Sequence, residues 1–105
     1  MSVQAATGSF SATGNGNPFV PNTGRVNNNC QFNVSVYGTF VGTVVLERSF
    51  DSGANYIPVY RYCTGTAVSY TAPASEVLPE PEGDVIYRLR CSAYTSGTAN
   101  YRLSD

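Results

Sequence analysis

At 105 residues and 11.2 kDa the chain holds one ordinary domain. Only 12% of it is charged, the net charge is −1, and all six cations are arginines. With no lysine or histidine, it lacks the clustered cations of a nucleic-acid binder and the parts of a histidine triad or zinc site, so a protein with no cofactor, no nucleic-acid partner and no enzymatic reaction is expected.

Residues 1–29 are rich in Gly, Asn, Ser and Thr, are broken by Pro18 and Pro21, and carry one charge, Arg25. The start has neither the cationic residues nor the apolar stretch of a secretion signal. Nowhere does an apolar run approach the roughly 20 residues that span a bilayer. A protein made in a cytoplasm, with no membrane partner, is the expectation. So polar a segment does not pack as a core of its own, yet Phe10, Phe19 and Val20 punctuate it like anchors. It reads as a frayed tail or one short edge strand, or as an extended arm ordered on a neighbouring subunit, with Phe10, Phe19 and Arg25 making contact. The division expected is an arm over 1–29 and a β domain over 30–105.

From Cys30 the pattern alternates. Cys30, Phe32, Val34 and Val36 fall on one face and Gln31, Asn33, Ser35 and Tyr37 on the other, which predicts a half-buried strand ending at Gly38-Thr39. Cys30, Cys63 and Cys91 lie too far apart for a zinc site and read as buried thiols acting as small hydrophobes, with a single disulfide as the alternative. Residues 40–50 form a longer predicted strand around the β-branched run Thr43-Val44-Val45.

Ser49-Phe50-Asp51-Ser52-Gly53 with Tyr56 behind it is similar to the Asp-box turn, a structural hairpin of sialidases and other propellers. The carboxylate caps backbone N–H groups and glycine takes a positive φ, so Ser49, Asp51 and Gly53 are assigned a structural role. Residues 56–62 predict a strand with Pro58 at an edge. Its face Tyr56, Tyr60 and Tyr62 is a candidate interface, because tyrosine is amphipathic and common at contacts. A fifth strand covers 67–72. The acidic stretch with Glu76, Glu80, Glu82 and Asp84 reads as a solvated connection between sheets. A carboxylate pair at Glu80 and Glu82, or a calcium loop, is a less specific reading of it. Residues 85–94 and 99–103 alternate as two further strands, turned at Ser96-Gly97-Thr98, with Arg88, Arg90 and Arg102 outward on neighbouring strands.

Six or seven short strands without a helical period imply an all-β fold, a small antiparallel β-sandwich of Ig-like or jelly-roll-like type, with association into a homo-oligomer completing a modest core. The run from Phe32 to Gly53, with Tyr70-Thr71-Ala72-Pro73, Glu80-Pro81-Glu82, Tyr87-Arg88-Leu89-Arg90-Cys91 and the stretch from Tyr94 to Leu103, resembles short virion-associated proteins of tailed bacteriophages. The resemblance implies a structural protein of the virion. Its expected form is a capsid decoration (cement) protein bound to the major capsid protein or another virion protein, and to further copies of itself. A tail- or fibre-associated carbohydrate-binding module using the tyrosine face is the alternative.

Overall fold

In the computed structural model, residues 5–21, 31–61, 64–80 and 85–104 are described. Among the described residues, nine strands form two antiparallel sheets that pack face to face as a β-sandwich. One sheet runs in the order β1 (Ala5–Phe10), β9 (Ala99–Ser104), β3 (Gln31–Tyr37), β7 (Ala74–Pro79). The other runs β2 (Gly14–Asn15), β8 (Ile86–Gly97), β4 (Phe40–Ser49), β5 (Ile57–Pro58), with β6 (Ser69–Tyr70) also pairing with β4. The core is the set of inward positions that the alternation selects: Phe32, Val34 and Val36 from β3, Val44 and Leu46 from β4, Tyr87, Leu89 and Cys91 from β8, Tyr101 and Leu103 from β9.

Over residues 5–21 the polar N-terminal segment takes the edge-strand reading of its composition. Within residues 5–21, β1 pairs with β9 along its whole length and β2 pairs with β8. Phe10 stacks on Tyr101 with ring centroids 5.1 Å apart, while Phe19 meets Phe32 at 6.2 Å and bridges to Tyr87. Both phenylalanines are buried in this chain's own core rather than offered to a neighbour. The physical reason is that small polar residues add an edge strand to an existing sheet without a core of their own, and the two aromatic rings supply the apolar area. Arg25 lies outside the described residues.

Three further features position the rest of the chain. First, the turns expected at Gly38-Thr39 and Ser96-Gly97-Thr98 are present, and both carry the chain from one sheet to the other. They sit side by side, with the Thr98 N–H donating to the Thr39 carbonyl at 2.8 Å. Gly97, at φ 86°, has the Thr39 carbonyl where a side chain would begin, so this crossing needs glycine both for its conformation and for its space. Second, Arg102 therefore lies on the opposite sheet from Arg88 and Arg90. Third, the acidic connection begins as β7, which pairs with β3 in register from Val36↔Ala74 to Gln31↔Pro79. Pro79 is tolerated there because β7 is an edge strand.

Candidate interaction surface

The turn after β4 is built by its own side chains. The Ser49 hydroxyl donates to Asp51 Oδ1 at 2.7 Å and accepts from the Gly53 N–H at 2.9 Å. Asp51 Oδ1 also accepts the Asn55 N–H at 2.9 Å, and Oδ2 the Asn55 side-chain amide at 2.8 Å. Ser52 and Gly53 both take positive φ, 60° and 89°. The Ser49 hydroxyl first, then Asn55, hold the Asp51 carboxyl down at about 2, against an ordinary 3.8. This constellation shapes a loop and leaves the carboxylate fully committed to it.

On the outer face of the β2–β8–β4–β5 sheet, Glu47 stands opposite Arg88 in the β4–β8 register. Its Oε1 accepts from Arg88 Nε and its Oε2 from Arg90 Nε, each at 2.9 Å. The two guanidinium groups cover the carboxylate so well that Glu47 is 5% exposed. Tyr56 completes the stack, with the Arg88 guanidinium 3.7 Å from its ring centroid. Tyr56 is therefore half-buried under an arginine, and Tyr60 is on another part of the molecule. Pro58 and the two-residue length of β5 break the continuous tyrosine face expected from the alternation. Tyr62 lies outside the described residues.

Tyr60 belongs to a hairpin closed by the Val68 N–H on the Val59 carbonyl at 2.7 Å and the Arg61 N–H on the Thr66 carbonyl at 2.7 Å. Between this hairpin and β7 lies a cleft of about 470 Å³, lined by Val59, Tyr60, Arg61, Val68, Leu78 and Tyr87, among others, with Arg48 beside them. Beside it Glu80, 2% exposed, accepts the Tyr87 hydroxyl at 2.6 Å and Arg48 Nη1 at 2.9 Å. This corrects the solvated reading of Glu80: a carboxylate at the end of an edge strand is drawn inward when a buried phenol and a guanidinium satisfy it. Glu76 is likewise taken up by a two-pronged pair with Arg61, both contacts at 2.9 Å, which lowers its pKa. Glu82 and Asp84 lie outside the described residues.

Four carboxylates are described, and each is tied to an arginine or to a turn. Among the described residues no group of three His, Cys, Asp or Glu side chains stands close enough to hold a metal ion. Cys91 is buried and free, and burial pushes its thiol pKa up; Cys30 and Cys63 lie outside the described residues.

Among the described residues, six large apolar side chains are exposed: Tyr37, Val41, Phe50, Ile57, Tyr60 and Val77. Phe50, Ile57 and Tyr60 are 51%, 47% and 60% exposed, and Arg48 links them. Its guanidinium lies 4.9 Å from the Phe50 ring centroid, it pairs in register with Ile57, and it lines the cleft with Tyr60. Of these three, the tyrosine pattern pointed only to Tyr60. Phe50 sits inside the turn motif and Ile57 in a strand with no exposed-face signal. Compared with known proteins, the chain matches no family model, no curated protein and no solved structure.

Proposed function

We propose that this protein is a non-enzymatic structural component of a tailed-phage particle, a capsid decoration protein that attaches to the shell and to neighbouring copies. The observation that carries the binding role is the group Phe50, Ile57 and Tyr60 around Arg48. Large half-exposed side chains gathered at one edge, with an arginine among them, have the composition of a contact core. The described carboxylates, spent on internal pairs, favour adhesion over acid–base chemistry. The phage particle itself enters through the resemblance of residues 32–103. Many copies docking on a symmetric shell convert modest single contacts into firm attachment.

The test is occupancy on particles produced without the protein. A Phe50→Ser/Ile57→Ser/Tyr60→Ser variant with unchanged circular dichroism is expected to bind at least about tenfold more weakly, a loss of about 1.4 kcal/mol or more. Wild-type occupancy by this variant would refute the proposed surface. The second reading, a glycan-binding module, draws on Tyr60 standing exposed at the mouth of the cleft. A glycan array on which wild type binds and Tyr60→Ala does not would favour it over the first.

A further inference from the structure

Each sheet of the sandwich has two edges. Among the described residues these are formed by β1 and β7 in one sheet, and by β2 and the pair β5 and β6 in the other. An edge strand presents unpaired N–H and C=O groups that accept a further strand, and folds blunt such edges with short length, proline or an inward-pointing charge. Here β2, β5 and β6 are two residues long, and β5 contains Pro58. β7 ends at Pro79 and turns Glu76 inward to Arg61. β1 has none of these devices. It runs six residues, Ala5–Phe10, in unbroken register with β9, and it holds no charge and no proline.

The direction of its free groups follows from one bond. The Thr7 carbonyl accepts the Asn17 side-chain amide at 2.9 Å, so it faces away from β9. Backbone groups alternate in direction along a strand, which sends those of Ala5 and Ser9 the same way. Asn17 uses one of the two lone pairs of the Thr7 oxygen and leaves the other. The outward backbone groups of Ala5 and Ser9 have no partner among the described residues. All three residues are small and exposed.

We infer that β1 is a contact between two copies of this chain, pairing antiparallel with the β1 of a second copy so that their four-stranded sheets run on as one. A bare strand edge is recognised by another extended strand, whose donors and acceptors repeat at the same spacing. The side chains suit a second copy in that role. A two-fold axis through Thr7 sets Thr7 against its counterpart and Ala5 against the partner's Ser9, so the facing pairs are small and uncharged, and the contact closes at a dimer. The nearest like charges, Arg102 on β9 of each copy, stay three strand spacings apart, about 14 Å, beyond the Debye length at physiological salt. The inference rests on the proposed attachment only for the dimer's use, as a bivalent unit on a shell; the contact itself belongs to the free protein.

The experiment is sedimentation equilibrium of the purified full-length protein up to about 1 mM, a range that populates a contact of small area. Wild type is expected to form dimers. Thr7→Lys leaves the β9 ladder intact and sets two ammonium groups face to face, so it should weaken the dimer at least about tenfold at low salt and less at high salt. Val77→Lys adds the same charge on β7, at the opposite edge of the sheet, and should dimerise as wild type does. On oxidation Thr7→Cys should give a covalent dimer, because facing residues of an antiparallel pair lie within disulfide reach. Val77→Cys, with the same native cysteines, should not. A monomeric wild type, or a dimer that Thr7→Lys leaves unchanged, overturns the inference and does not touch attachment through Phe50, Ile57 and Tyr60, which is tested on particles. A dimer lost instead in the Phe50→Ser/Ile57→Ser/Tyr60→Ser variant moves the contact to that edge and overturns the inference equally. Protection of the Thr7 and Ser9 amides from hydrogen exchange that develops only on particles would give the β1 edge to a strand of the shell, and so overturn it too.

Discussion

Asp51 and Glu47 show how the same side-chain chemistry serves different ends according to burial. Asp51 is exposed and its role is geometric, so its contribution shows itself through pH. Its folded pKa lies below the ordinary value of 3.8, at about 2. Its contribution is therefore present above 3.8 and is lost as pH falls through about 2. Thermal melts of wild type should drop over that window, and Asp51→Asn, which cannot titrate, should drop less. Glu47 is covered by two arginines of unequal exposure. Arg88→Ala removes the more buried contact and the Tyr56 stack and should cost about 2 kcal/mol in urea unfolding. Arg90→Ala, at the more exposed contact, should cost about 1 kcal/mol or less. Equal losses would show that burial does not set the difference. The strand alternation placed Arg88 and Arg90 on one outward face, but the choice of Glu47 as partner for both needed the β4–β8 register.

The N-terminal strands test how an element of poor composition is held. β1 and β2 have little apolar content, and their place is secured by pairing with β9 and β8 and by Phe10 and Phe19. Removing residues 1–21 would strip those edges and open the core beneath Tyr101 and Phe32. The expected outcome is a chain without a cooperative melt, where an independent arm would leave the β domain folded. Phe19→Ala is the milder version and should cost about 3–5 kcal/mol. β7 teaches the complementary lesson. Its inward position 76 is a glutamate, so the apolar alternation is absent from the sequence, and the strand forms because Arg61 on the neighbouring hairpin neutralises that glutamate. β3, with an apolar residue at every inward position, was readable directly.

Seen entire, the sandwich is closed along its sides by buried phenols. Tyr87 reaches Glu80, and the buried Tyr70 hydroxyl stands near Glu76 without a partner in hydrogen-bond geometry. Burial first, and the nearby carboxylate second, push both phenols well above their usual 10. Unfolded tyrosine ionises near 10, so the contribution of these two groups is present below that pH and declines as pH rises beyond it. In an alkaline titration Tyr70 and Tyr87 should ionise only with cooperative unfolding; ionisation before the circular dichroism changes would contradict their placement. Period-two alternation was enough to establish an antiparallel all-β chain, because the side chains of a strand must divide between core and solvent. It did not reveal that two tight turns pass between sheets, that Glu80 is buried, or that Arg102 lies on the opposite sheet from Arg88 and Arg90. Those features depend on which strands become neighbours, and neighbours distant along the chain are chosen by the packing of all nine strands together.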